Sequence, residues 1–226
     1  MVLYGAAFFS VSVLILAWFA RGRRNRGTIS LVFLAGLVSG PAAGAAEMLF
    51  AREFLTGPGI SGAVVKSAVF YMLGVGPIEE AAKFIAVFLA ALRRSDFKNS
   101  SDGILLAIAA ALGFAAGENV LYMFSYGPAD TAARLFLGNF GHASFSVYWG
   151  YALGVVLHEN ARFSLVVEGL ALAALLHGLY DFLLTLPSPG PGFALLLAFT
   201  LIVFFLLFFK KEKDRHRKSS RSARHH

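Results

Sequence analysis

Glu79, Glu80 and Lys83 stand inside an uninterrupted apolar stretch, in the segment GVGPIEEAAKF (74–84). At the centre of a lipid-embedded helix each such residue costs about 2.5 to 3.5 kcal/mol. Other intruders follow downstream: Glu118–Asn119, Asn139 and His142, and His177 with Asp181. Their spacing is helical. Glu79 and Lys83 are i, i+4, Glu80 and Lys83 are i, i+3, and His177 and Asp181 in HGLYD are again i, i+4, so each pair shares a helix face. Carboxylates and imidazoles gathered in low dielectric cannot all ionise. Such a group supplies a proton donor and a proton acceptor near neutral pH, as acid–base catalysis requires. The same side chains, Glu79, Glu80, Glu118, His142, His177 and Asp181, are also chemically suited to zinc. Two mechanisms therefore stay open, metal-free glutamate chemistry and a zinc-bound water, with no cofactor demanded by the spacing. Lys83 reads as a charge partner, and Asn119 and Asn139 as supporting hydrogen bonders. Glu47 and Glu168 have no partner motif and lie near the ends of apolar runs, which gives them a structural or interfacial reading.

The elements that carry these residues are set by composition. The chain has 226 residues, of which 58% are hydrophobic and only 15% charged, with a mean hydropathy of +0.69. Soluble domains carry about 25% charged residues, so a single helical membrane domain over 1–209 is predicted. Seven apolar runs approach the roughly 20 residues needed to cross a bilayer: 2–20, 28–51, 62–92, 103–126, 133–157, 164–186 and 192–209. The third is too long for one perpendicular crossing, and a break or proline kink is expected near Gly74–Pro77, since proline is tolerated at a helix start and disrupts an interior. Glycines at helical spacing, Gly36/Gly40/Gly44 and Gly150/Gly154, predict close helix contacts.

The net charge of +7 does not point to nucleic acid, because the basic residues sit in connectors and in the tail KKEKDRHRKSSRSARHH (210–226). With the amino terminus outside and the carboxyl terminus cytoplasmic, the inner connectors and the tail hold 16 of the 20 Lys and Arg. That is the positive-inside arrangement. The tail is expected to be disordered. The absence of cysteine excludes thiolate zinc sites and a cysteine nucleophile. His158–Glu159 in HENAR lacks the second histidine of a zinc-protease motif, has Arg162 in its place, and falls on a connector.

Depth then brings the polar residues together. At about 1.5 Å of rise per residue, Glu79 and Glu80 lie roughly 20 Å from the cytoplasmic side and Glu118 roughly 12 Å below the outer end of its span. His142 and His177 fall at a similar level, with Asp181 one turn shallower. Four helices are thus predicted to deliver acids and imidazoles to one buried polar site in the outer half of the membrane.

EEAAK (79–83), FAAGEN (114–119), GHASFSVYWGYALG (141–154) and HGLYD (177–181), in this order, resemble the PrsW family of bacterial intramembrane proteases, over about half of the chain. That family is similar to the CAAX prenyl endopeptidases and to the Aph-1 subunit of gamma-secretase. The resemblance implies a multi-pass protein of the bacterial inner membrane that cuts a membrane-spanning substrate, with an anti-sigma factor as the expected type. For that hydrolysis, Glu79 or Glu80 is expected as general base, His142 or His177 to orient the water and protonate the leaving amine, Asp181 to hold His177, and imidazole N–H groups, with Asn119 or Asn139, to meet the oxyanion. Relative to the CAAX endopeptidases, this chain has Glu118 where they have histidine and Asp181 where they commonly have asparagine. The acid cluster alone also fits a non-catalytic Aph-1-like scaffold or a proton- or ion-coupled transporter.

Overall fold

The computed structural model describes residues 2–21, 26–56, 62–91, 100–127, 134–159 and 161–222. Among the described residues every regular element is helical. In chain order these are α1 (Val2–Phe19), α2 (Arg26–Thr56), α3 (Ala63–Phe70), a π-helical segment (Tyr71–Val75), α4 (Gly76–Ala91), α5 (Ser100–Tyr126), α6 (Arg134–Glu159), α7 (Ser164–Thr185) and α8 (Gly190–Ser222). Four of them meet the length and hydropathy of a membrane crossing outright: Arg26–Phe54, Ser101–Ser125, Ser164–Thr185 and Gly190–Phe208. Much of the basic connectors, 22–25 and 92–99, and the last four residues fall outside the described set.

Helix α5 is the axis of the bundle. Its apolar window is 83% buried, against 22–33% for the other three, and Ile104 to Leu112 is sealed from the surface. Its sequence, rich in alanine and glycine, explains this position: between helices in lipid, small residues allow the close backbone approach on which packing depends. A Cβ at Gly113 would sit 2.0 Å from the Phe33 carbonyl oxygen of α2, and one at Gly36 would meet the Ala110 carbonyl oxygen of α5 at 2.2 Å. Gly103 on α5 faces Gly150 and Gly154 on α6 in the same way. Gly76 of α4 fits against Ala174 and Gly178 of α7. Of the predicted contact glycines, Gly44 differs: nothing lies within 4 Å of its Cβ position, and it lines a cavity instead.

The expected interruption of the third rod is present in another form. The chain does not break; it widens into a π turn over Tyr71–Val75, with the Gly76 N–H donating to the Tyr71 carbonyl oxygen. Pro77 follows at once and has no N–H to give. A widened turn is a regular way to pass a residue that cannot close an α-helical bond. Because the helix continues, Glu79 and Glu80 do not lie at an open helix end.

A second difference concerns the tail. Helix α8 does not stop with its apolar run but continues to Ser222, where disorder was expected. Lys, Arg and Glu are good helix formers, and after Gly192 this helix contains neither proline nor glycine.

The glycine contacts yield a paired prediction. Gly113→Ala should destabilise the detergent-solubilised protein by about 1–3 kcal/mol, the usual cost of overpacking, whereas Gly192→Ala, with nothing within 4 Å, should leave the melting temperature unchanged.

Candidate active site

Helices α4, α5, α6 and α7 each place one face of polar side chains against the others, and the centre of that meeting point is Glu80. Its side chain is fully buried and takes four donors. Lys83 Nζ (2.7 Å) and His177 Nδ1 (3.0 Å) reach Oε1, while Ser146 Oγ (2.8 Å) and Trp149 Nε1 (2.9 Å) reach Oε2. A carboxylate so occupied has no free lone-pair direction for a water. Glu80 is therefore a fixed acceptor that orients its neighbours, which separates it from Glu79.

Lys83 is the counter-charge. Its ammonium also lies 3.4 Å from Glu79 Oε2, 3.0 Å from His142 Nδ1 and 3.4 Å from His177 Nδ1, and 4.4 Å above the Phe114 ring. An ammonium only donates, so His142 Nδ1 is the acceptor of that bond, and His142 Nε2–H donates to Glu118 Oε2 at 2.9 Å. The shorter of two contacts at His177 Nδ1, 3.0 Å to the Glu80 carboxylate against 3.4 Å to the Lys83 ammonium, makes this nitrogen a donor. The unprotonated His177 Nε2 then faces Glu79 Oε2 at 3.3 Å and Asp181 Oδ2 at 3.6 Å. Phe145 stacks on the His177 ring at 4.7 Å and fixes its plane.

Glu79 Oε2 thus confronts His177 Nε2 with no donor hydrogen of the imidazole between them, and His142 Nδ1 is 3.7 Å away. Each of the three residues offers one ligand atom within 4.8 Å of the others. Two imidazoles and one carboxylate form a common set of three protein ligands for catalytic zinc. The outer nitrogen of each imidazole rests on a carboxylate, His142 on Glu118 and His177 on Glu80, the usual way metal-binding histidines are oriented. Charge argues in the same direction: Glu47, Glu79, Glu80, Glu118 and Asp181 gather around one ammonium. The donor set fits a divalent cation once the Lys83 N–H gives up His142 Nδ1.

Access comes from a cavity of about 330 Å³ whose wall includes Glu47, Tyr71, Glu79, Glu118 and Asp181. A small cleft of about 40 Å³ reaches His142 and His177 from the side of Glu118 and Asp181.

The geometry redistributes several roles expected from sequence. Glu80, not Asp181, holds His177 through Nδ1; Asp181 lines the cavity near Nε2. Asn139 accepts a hydrogen bond from Ser12 Oγ at 2.7 Å and so ties α6 to α1. Asn119 is buried, but its Nδ2 has no partner, and it lines neither cavity.

Three participants escaped the sequence reading. Ser146 and Trp149 follow His142 at i+4 and i+7, which puts all three on one face of α6, and a buried indole N–H requires an acceptor. That spacing could have revealed them. Glu47 was set aside because nothing near it in sequence marks it, yet it faces the cavity from α2, one turn beyond Gly44.

Residues 24–209 match the PrsW family intramembrane metalloproteases. The chain belongs to the PrsW family. It is 32% identical to the protease PrsW of Shouchella clausii over 139 residues, covering 61% of this chain and 64% of that protein. The figures are 31% over 169 residues and 74% of each chain for Halalkalibacterium halodurans, and 33% over 115 residues, 50% of this chain and 53% of the relative, for Bacillus subtilis. No solved structure matches it.

Lys83→Met should test the centre of this PrsW-family site. Removing one partner of a buried pair leaves an uncompensated charge, so unfolding of the purified variant should become easier by about 3–5 kcal/mol. Lys83→Met combined with Glu80→Gln should recover part of that loss.

Proposed function

We propose that this chain is an intramembrane endopeptidase that hydrolyses a peptide bond of a membrane-spanning protein. The observation that carries the reading is the convergence of Glu79, His142 and His177 within a helical membrane bundle, with Glu79 on the wall of the larger cavity and both imidazoles on the small cleft beside it. A scaffold or a transporter can keep buried acids, but neither needs two carboxylate-oriented imidazoles turned toward a third carboxylate.

Glu79, His142 and His177 would hold the metal. When bound, it supplies a Lewis acid that makes water nucleophilic near neutral pH. Zinc is the ion the ligand types favour. Glu118 and Glu80 keep the two imidazoles in their tautomers and planes. Asp181, on the cavity wall, accepts the proton of the attacking water and returns it to the leaving amine. Lys83 compensates Glu80 and limits the negative charge beside the reacting carbonyl.

The seven apolar runs fit seven crossings with the amino terminus outside and the carboxyl terminus cytoplasmic, an orientation supported by the Lys and Arg distribution. The cavity then lies in the outer half of the bacterial inner membrane. A single-span anti-sigma factor, cut beyond or within its membrane segment, is the substrate type we assign.

Metal analysis should find about one zinc per chain, with chelation abolishing cleavage and zinc restoring it. Glu79→Gln, His142→Ala and His177→Ala should lose both metal and cleavage of co-expressed single-span anti-sigma factors. Glu118→Gln should lower metal affinity or activity by about 10- to 100-fold. Unchanged processing by Glu79→Gln across the panel would falsify the hydrolase reading.

A further inference from the structure

We propose that the substrate chain reaches Glu79 laterally, through the seam between α2 and α3, in an extended conformation. The inference deepens the proposed activity and rests on it for its first test.

Hydrogen bonding fixes the conformation. In a helix the carbonyl of each peptide bond already accepts the N–H four residues on, so the bond to be cut must leave its helix before it can be attacked beside Glu79 on the cavity wall. Its freed N–H and C=O groups cannot remain in hydrocarbon. The entry must therefore open directly from lipid onto the polar cavity.

Beside the cavity, two helix contacts are closed by backbone against backbone. Gly36, Gly113 and Gly117 seal α2 to α5, and Gly76 with Gly178 seals α4 and the π segment to α7. The wall formed by α3 is different. None of its eight residues is buried. Side chains hold it: Phe70 stacks on Phe50 at 5.6 Å and lies 6.1 Å from Phe54. Lys66 sits 6.0 Å over the Phe54 ring, and Ser67 Oγ is 3.4 Å from Thr185 Oγ1 of α7.

Phe70 and the adjacent Tyr71 line the cavity as well as the seam, so parting these rings joins lipid to the site without crossing packed backbone. The pivot is built in. The π turn ends α3, and Gly74 within it leaves the notch filled by Phe50, whose Cε1 lies 2.1 Å from where a Cβ would stand. Rings can leave such a notch; a packed backbone cannot.

The chain has no cysteine, so Ser67→Cys with Thr185→Cys introduces one pair, at positions whose oxygens are already close. Reduced, this variant should process a single-span anti-sigma factor at the wild-type rate. Oxidised, with α3 fastened to α7, it should be slower by about tenfold or more, and reductant should restore it. Equal rates in both states overturn the proposal. Phe54→Ala, which removes ring contacts from the seam, should speed cleavage by about two- to twelvefold, the equivalent of one aromatic pair. A slower variant that keeps the wild-type melting temperature counts against it.

A second measurement does not need turnover. In Glu79→Gln protein, photoreactive benzoylphenylalanine in place of Phe54 should capture the same anti-sigma factor, while the group in place of Phe199, on the exposed face of α8, should not. Capture at 199 without capture at 54 places entry elsewhere and refutes the seam. If wild type cleaves no member of the panel, the hydrolase reading falls, and this capture still decides whether membrane-spanning chains dock here.

Discussion

The buried Glu80 carboxylate organises the site. Taking an ionised carboxylate out of water carries a penalty of several kcal/mol, and the attraction of one ammonium offsets it only when the remaining lone pairs are also satisfied. Here the ammonium comes from the same helix, one turn away, and the other bonds come from α6 and α7. Three helices are thereby held in one rotational setting. If α6 turned, Ser146 and Trp149 would leave Oε2 exposed to hydrocarbon; if α7 turned, His177 would lose the acceptor that sets its tautomer. A well-packed apolar core could give equal stability, so the reason to keep this group lies in specificity of geometry.

That setting divides two adjacent glutamates between unlike tasks. Glu80 is saturated by donors and cannot act on anything else. Glu79, about 100° further round the helix, turns toward the cavity and the second imidazole nitrogen. The two histidines repeat the division: one nitrogen of each is spent on orientation, against Glu118 or Glu80, and the other faces inward. Function is carried by the inward atoms and accuracy by the outward ones. The glycine contacts along α5 make this possible, because polar side chains of ordinary length meet only when the helix backbones run close together.

Much of this was legible in the sequence, for physical reasons. Acids and imidazoles in apolar runs are expensive enough to be conspicuous, and 1.5 Å per residue converts position into depth, so the common level of Glu79, Glu118, His142 and His177 could be read directly. Rotation about each helix axis could not. That is why Asp181 was given the bond to His177 that belongs to Glu80, and why Asn139, near the right depth, was credited with a role although it points at α1. Glu47 was missed because its importance comes entirely from tertiary placement across the cavity. The π turn was read as a break because proline and glycine mark an irregularity without specifying its form, and the tail was read as disordered because its charge outweighed its helix propensity.

The widened turn at Tyr71–Val75 has one more consequence. An extra residue in a single turn shifts the phase of everything after it by about 100°. Side chains of α3 and α4 therefore obey two different angular origins, although the axis runs on between them. Had the rod been regular, Phe70 and Glu79 could not both address the same hollow; the surplus residue works like a gear tooth out of step, and shortening the turn by one would rotate the glutamates away from the imidazoles while leaving every amino acid of the motif in place.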